Sequence, residues 1–251
     1  MYKLGDYLRS HAEDFSKLQM LEMGKTMKSG PVGIVKCALV CDYYAGNAES
    51  ILKNEILKTD QREQYVRFDP LGVVLAVMPW NFPFFQVYRG AVPAIMAGNT
   101  VLLKHASNVP QCALAIEESF RAVGFPEGVF QNLLLSSSRV EKLIRDPRVS
   151  AITLTGSEKA GSGVARVAGE EIKKVVLELG GSDPFIVFGD ADIKESAQIA
   201  VQTRLQSNTG QSCIAAKRFI VEENIKSEFT KYVIEELSRL KVGDPSDKET
   251  D

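Results

Sequence analysis

The sequence predicts an α/β protein with a doubly wound parallel sheet, followed by the start of a second α/β unit. Short apolar runs rich in Val, Leu and Ile recur between longer stretches of helical character. Runs that are apolar throughout are typical of strands covered on both faces, and their alternation with helices is typical of parallel sheets. The chain has 251 residues, 45% of them hydrophobic, which suffices for one large domain or two smaller ones.

The first 58 residues predict two helices, with a break at Ser29, Gly30 and Pro31 where glycine and proline end one helix and begin the next. Residues 59–71 are charged and contain β-favouring aromatic and branched residues, which predicts a hairpin-like arm. We therefore assign 1–58 and 72–180 to one domain, 59–71 to an arm, and 181–251 to the second unit.

Six apolar runs predict the strands of the parallel arrangement: 73–77, 101–103, 129–134, 151–154, 174–177 and 184–187. Helical stretches separate most of them. A last amphipathic helix is predicted by five apolar residues at helical spacing: Ile225, Phe229, Val233, Leu237 and Leu240.

Composition excludes several classes of function. The formal net charge is −2, so we expect no general attraction to nucleic acid or to an anionic membrane. Four cysteines without paired spacing favour a reducing compartment, and two histidines without a Cys-x-x-Cys pair predict no metal site. Without a signal-peptide pattern or a long apolar run, the expected location is the cytoplasm.

Cys213 ends a small, polar, turn-forming stretch, 207–213, that suits a loop presenting one side chain. Cys37, Cys41 and Cys112 instead lie in helix-like segments, where a thiol usually packs as a small hydrophobe. Cys213 is thus a candidate nucleophile. The pattern by itself still favours a buried structural thiol.

Polar residues follow two of the predicted strands. Asn81 lies in the Pro-rich run 78–83, where its fixed carboxamide either donates to an oxyanion or caps a helix. Lys104 closes the next strand and is placed to meet a ribose or phosphate, although a solvated surface lysine is the commoner case. Strand ends in α/β sheets carry ligands, so both positions are candidates.

Two further predicted strands are followed by candidate site residues. Gly156 and Ser157 lead from a strand into a helix whose N-terminus suits a phosphate; a plain serine cap is the alternative. Glu178 ends another apolar strand, where partial burial would raise its pKa towards that of a general base. A carboxylate bonded to loop amides is the alternative for Glu178.

Together these motifs resemble the NAD(P)-dependent aldehyde dehydrogenases over essentially the whole chain. The matching segments are Pro-Trp-Asn-Phe-Pro at 79–83, Leu-Lys at 103–104, Thr-Gly-Ser at 155–157 with Gly161, Glu-Leu-Gly-Gly at 178–181 and Gly-Gln-Ser-Cys-Ile-Ala at 210–215. Within the family, segments 103–110 and 180–187 look most like succinate-semialdehyde dehydrogenases.

The resemblance implies a role for each motif. Cys213 attacks the aldehyde, Asn81 and the Cys213 N–H stabilise the oxyanion, and Glu178 activates the hydrolytic water. The cofactor would be held by residues at the other strand ends: Met78, Trp80, Lys104, Ser107, Gly156, Ser157, Gly161 and Leu179.

The resemblance also implies a substrate and a cofactor preference. In succinate-semialdehyde dehydrogenases an arginine at the position of Arg89 helps to bind the substrate's far carboxylate. Ser107 replaces the glutamate that many NAD-specific members place after their lysine, so NADP is favoured over NAD.

The family carries roughly twice this length, so the sequence resembles a middle fragment that ends early in the catalytic domain. A catalytically inactive nucleotide-binding remnant is therefore the main alternative. An acyl-phosphate reductase fits less well, because it needs no water-activating Glu178. The resemblance implies a small aldehyde substrate and a homo-oligomer, dimer or tetramer, in the complete enzyme, with the arm at 59–71 serving oligomerisation.

Overall fold

A computed structural model describes residues 1–58, 60 and 63–251. Its first part holds three helices, α1 (Tyr2–Ser10), α2 (Ala12–Met23) and α3 (Gly30–Ile51), so the prediction of two is wrong. The first predicted helix is interrupted at His11, whose ψ of 16° departs from helical geometry. It then ends at Gly24, whose φ of 74° is the left-handed conformation that glycine adopts readily.

A short hairpin follows α3. Strands β1 (Glu55–Leu57) and β2 (Gln64–Val66) pair antiparallel, with exposed side chains throughout. The arm was predicted over 59–71, so its first observed strand lies ahead of that range. Thr59, Gln61 and Arg62 lie outside the described residues. The arm's part in assembly remains a prediction.

The main sheet confirms the doubly wound parallel fold. Its five strands are all parallel, in the spatial order β5-β4-β3-β6-β7. They are β3 (Val73–Met78), β4 (Thr100–His105), β5 (Phe130–Asn132), β6 (Val149–Thr155) and β7 (Lys174–Glu178). The strand order reverses between β3 and β6, and a crevice opens at their carboxyl ends where such sheets bind ligands.

Helices cover both faces of this sheet. α4 (Pro83–Met96) and α5 (Pro110–Ala122) join α1, α2 and α3 in one apolar core, whereas α6 (Val140–Arg145) and α7 (Glu158–Glu170) form the other. β3 serves both cores, since Ala76 and Met78 face the first and Leu75 faces the second. β7 is different: it is an edge strand, and Val176 is 60% exposed there.

The side chain of Glu22 ties α2 to α5. Its two carboxylate oxygens accept hydrogen bonds from the backbone N–H groups of Gln111, at 2.7 Å, and Cys112, at 2.8 Å. These amides belong to the first turn of α5, where N–H groups lack partners within the helix and a negative charge is favoured. The turn after α2 is thereby held beside the sheet.

The second unit contains β8 (Pro184–Val187), α8 (Ile193–Val201), β9 (Arg218–Val221) and α9 (Lys226–Arg239). β8 was predicted as a strand of the parallel arrangement, but it pairs with β9, in a separate two-stranded parallel sheet. The sequence did not predict β9 as a strand. No helix among the described residues is long and apolar enough to cross a membrane.

The buried thiol of Cys41 makes stability depend on alkaline pH. Burial, followed by the nearby charge of Asp42, raises its pKa from 9.0 to about 12. The unfolded thiol ionises first, so stability is fully present below about pH 9 and is lost as pH rises towards 12. Between pH 8 and pH 10 wild type should lose about 1 kcal/mol more than Cys41→Ala in urea unfolding. Equal losses in both proteins would contradict this, and Cys213→Ala is the control.

Candidate active site

The turn between β3 and α4 is bound to the loop that carries Cys213. The Asn81 Nδ2 donates to the carbonyl oxygen of Gln211 at 2.9 Å, and the Asn208 Nδ2 donates to the carbonyl oxygen of Asn81 at 2.7 Å. α4 has no side-chain cap, so Asn81 does not cap it. The two asparagines thus join the main sheet to the Cys213 loop.

The Cys213 loop has an unusual backbone. Asn208, Thr209 and Gly210 have φ values of 54°, 53° and 74°, and β-branched threonine rarely adopts this left-handed region. Arg204, in a π-helical turn over residues 202–206, donates from Nη1 to the Gly210 carbonyl at 2.9 Å. Such strained conformations persist only where neighbouring contacts hold them, and they are concentrated at functional sites.

Two more hydrogen bonds hold this loop in place. The Gln211 Nε2 donates to the carbonyl of Met23, at the end of α2, at 3.3 Å. On the other side of Cys213, the Lys217 Nζ donates to the Cys213 carbonyl at 2.6 Å. The Cys213 N–H makes no hydrogen bond within the described chain, and so remains available as a donor.

The loop closes one side of a cleft of about 340 Å³ at the crevice between β3 and β6. Six predicted site residues line it: Trp80, Asn81, Gly156, Ser157, Leu179 and Cys213. Several lining residues were not predicted, among them Thr155, Arg204, Gln211 and Lys217. Thr155 could have been predicted from the sequence, because it precedes Gly156 at a strand end. Arg204 could not, because only the tertiary fold brings it to the site.

The four cysteines differ in their surroundings. Cys37, Cys41 and Cys112 are buried, and burial is the largest of the causes that raise their pKa values. Cys213 is half-buried and lines the cleft. Accessibility therefore favours the nucleophile over the structural thiol for Cys213.

Glu178 and Arg89 meet at the edge of the sheet. The Arg89 Nη2 lies 3.6 Å from the Glu178 Oε2 and 3.3 Å from the Thr155 Oγ1. The Glu178 side chain is 56% exposed. The expectation that it would be partly buried is therefore wrong, because β7 is an edge strand with one side open.

Two of the proposed cofactor residues serve packing. A Cβ on Gly161 would come within 2.5 Å of the Leu179 Cδ2, so a larger residue there would force the Leu179 side chain to move. Met78 is buried, and its Cε lies 3.0 Å from where a Cβ on Gly90 would be. Ser157 caps α7 by accepting from the Ala160 N–H at 3.2 Å.

Lys104 and Ser107 lie at the end of β4, and Ser107 lines a second cavity of about 370 Å³. Lys104 is only 7% exposed, and burial lowers its pKa. His105 accepts from the Ala106 N–H at Nδ1 and contacts the Pro83 carbonyl through Nε2 at 2.9 Å. This pattern fits the neutral ring, and burial lowers the pKa of His105 accordingly.

The sequence matches the profile of the aldehyde dehydrogenase family over residues 1–251. It is 53% identical over 249 residues to a probable succinate-semialdehyde dehydrogenase [NADP(+)] of Synechocystis sp., covering 99% of this chain and 55% of that protein. It is 55% identical to the succinate-semialdehyde dehydrogenase [NADP(+)] of Mycobacterium avium, covering 98% of this chain and 52% of that one.

A solved structure shares the fold. The succinic semialdehyde dehydrogenase from Streptococcus pyogenes, in complex with NADP+, superposes with a TM-score of 0.96 at 37% identity. The match covers 100% of this chain and 55% of that one. The chain thus spans about half the length of the relatives that it matches.

Asn208 should set the reactivity of Cys213. Asn208→Ala removes the amide donor and leaves alanine in a left-handed conformation, which together should cost about 1–3 kcal/mol. We expect iodoacetamide to modify Cys213 in Asn208→Ala at a rate clearly different from the rate in wild type. The rate is measured by mass spectrometry of the peptide that contains Cys213. Asn208→Gly relieves the backbone strain without restoring the amide; if it reacts like wild type, the amide has no such role.

Proposed function

Because the chain belongs to the aldehyde dehydrogenase family, we propose that it carries the catalytic cysteine of an NADP+-dependent oxidation of succinate semialdehyde to succinate. One observation supports this most directly. Cys213 is half-buried in the same cleft as Asn81, and the Asn81 carboxamide is bound to the Cys213 loop. A nucleophile and an oxyanion donor are thereby held together at a strand end.

The Cys213 thiolate attacks the carbonyl carbon of the aldehyde, and the carbonyl oxygen becomes the oxyanion of a thiohemiacetal. A carboxamide nitrogen carries two hydrogens. One N–H of Asn81 is engaged by Gln211, which orients the group, and the other has no acceptor among the described residues and can donate to the oxyanion. The unengaged Cys213 N–H supplies a second donor.

The chain offers donors that fit a dinucleotide. Lys104 is a nearly buried cation at the end of β4, and α7 presents the N-terminus of a 13-residue helix to the cleft. Lys104 and Ser107 would meet the adenosine ribose and its phosphate, and Ser157 the pyrophosphate. Bound there, NADP+ would supply the hydride acceptor for the oxidation, and Cys213 would then carry the product as a thioester.

Glu178 then assists hydrolysis. Its carboxylate takes a proton from a water molecule, whose oxygen attacks the thioester carbon; the C–S bond breaks and Cys213 leaves as the thiolate. The exposure of Glu178 gives water direct access to it. Arg89, whose Nη2 lies 3.6 Å from the Glu178 Oε2, holds this carboxylate at the edge of the sheet.

The relatives named as succinate-semialdehyde dehydrogenases support the substrate, and their NADP(+) designation supports the cofactor. Because position 107 is a serine and not a glutamate, it carries no carboxylate that would repel a 2′-phosphate. His105 adds no charge there, because its ring is neutral and bonded to Pro83.

Cys213→Ala in the full-length gene product should abolish NADP+ reduction with succinate semialdehyde, whereas Cys112→Ala, at a buried thiol, should keep it. The reason is that only the Cys213 thiol can form the covalent intermediate. The measurement is absorbance at the wavelength of the reduced cofactor. Turnover retained in Cys213→Ala would refute the mechanism; no turnover in wild type would favour the inactive remnant.

Ser107→Glu should reverse the cofactor preference. Two like charges ~4 Å apart cost between ~1 and ~4 kcal/mol, depending on solvent exposure, so a glutamate should exclude the 2′-phosphate. We expect kcat/KM to be higher for NADP+ in wild type and higher for NAD+ in Ser107→Glu. Titration of both cofactors on both proteins tests this, with Ser107→Gln as the uncharged control. A wild type preferring NAD+ tenfold would show that another residue decides.

A further inference from the structure

Two lysines lie over aromatic rings beside the candidate active site. The Lys36 Nζ, on α3, is 4.3 Å from the centroid of the Phe85 ring, and the Lys25 Nζ is 5.5 Å from that of Phe82. These are distances at which a ring face attracts a cation. Phe82 follows Asn81, which lines the cleft, so the Lys25 ammonium lies beside the turn that provides one wall of the cleft.

The start of α4 places these rings next to two residues that line the cleft, Asn81 and Gln86. Residues 82, 85, 86 and 89 recur at helical spacing and share one side of α4. On that side, Gln86 lines the cleft and Arg89 reaches Thr155 at the end of β6. Phe85, with the Lys36 ammonium over its ring, directly precedes Gln86, so Lys36 lies next to the first turn of α4, the part of this helix that reaches the cleft.

The charges near this wall are unevenly paired. Arg89 is engaged by Glu178, at 3.6 Å, and by the hydroxyl of Thr155. Within the part of the chain that the structure describes, no carboxylate lies within 4.0 Å of the ammonium of Lys25 or Lys36. Lys25 is only 4% exposed, whereas Lys36 is exposed to solvent. Among the described residues, Lys36 is therefore an accessible cation without an acidic partner, whereas Lys217, which lines the cleft, is engaged by the carbonyls of Cys213 and Ala215.

Lys25 and Lys36 also act on each other. Burial lowers the pKa of Lys25, and the positive charge of Lys36 contributes to the same shift. Two cations this close produce a local positive potential that attracts an anion. The contact with the Phe85 ring leaves the N–H groups of Lys36 able to donate hydrogen bonds. A cation–π contact depends on the charge of the ammonium and does not occupy its three donors.

We infer that Lys36, held over Phe85, recognises the carboxylate of the substrate at the mouth of the active-site cleft. The inference rests on the proposed function, and it adds a substrate-recognising cation besides Arg89. Succinate semialdehyde carries its carboxylate at the end opposite to the aldehyde, so the carboxylate points away from Cys213 when the aldehyde reacts. Lys36 acts on substrate capture and leaves the chemical steps unchanged.

Lys36→Met tests this in the full-length gene product, because methionine keeps an unbranched apolar stem over Phe85 and removes the charge. We expect kcat/KM for succinate semialdehyde to fall about fivefold, mostly through KM, since a single charge pair in water is weak. With butanal, an uncharged aldehyde of the same carbon number, kcat/KM should stay within about twofold of wild type. Lys36→Arg should retain the wild-type preference.

The salt dependence of kcat/KM distinguishes charge from packing. Added NaCl should lower kcat/KM for succinate semialdehyde less steeply in Lys36→Met than in wild type, because screening acts only on the charge. Lys142→Met is the matched control, since Lys142 is exposed on α6, on the opposite face of the sheet. It should behave as wild type with both aldehydes.

The possible outcomes distinguish a failure of the role of Lys36 from a failure of the proposed function. An active wild type with equal losses on both aldehydes in Lys36→Met, or with no loss on either, would overturn the role of Lys36 alone. A wild type that does not oxidise succinate semialdehyde would refute the proposed function, and the role of Lys36 with it. If Lys142→Met shows the same selective loss, the effect is one of overall charge and the inference is overturned.

Discussion

The reciprocal hydrogen bonds between Asn81 and the Cys213 loop connect the two parts of the chain. Asn81 belongs to the turn after β3, and its partners Asn208 and Gln211 belong to the second unit. These bonds are needed because the loop contains consecutive left-handed residues, which are unfavourable in isolation. The contacts that hold the loop in this conformation are the same ones that place Cys213 beside the main sheet.

The distribution of charge follows from where each strand ends. Glu178 ends an edge strand and remains open to water, and its Oε2 lies 3.6 Å from the Arg89 Nη2. Lys104 ends a central strand and is nearly buried, which makes its charge costly unless a ligand satisfies it. His105, beside it, avoids that cost by remaining neutral and bonding to the backbone. Burial therefore distinguishes three titratable groups that follow similar apolar runs.

The sequence by itself determined the fold class and most of the candidate site. Apolar runs alternating with helices predicted the parallel sheet, because residues in strands covered on both faces must all avoid water. Polar residues directly after those runs, such as Asn81 and Ser157, could be located because strand ends converge on one edge. Cys213 stood out from the other cysteines because its loop residues suit neither helix nor strand.

Only the tertiary structure decided which of these residues meet and how exposed they are. Arg204 and Lys217 enter the site through hydrogen bonds to backbone carbonyls, for which side-chain patterns give no signal. The exposure of Glu178 depends on β7 lying at the edge of the sheet, and spatial strand order is a long-range property that an apolar run does not encode. Lys36 likewise gained its position from the packing of α3 on α4, since a contact between distant segments exists only once both helices are folded.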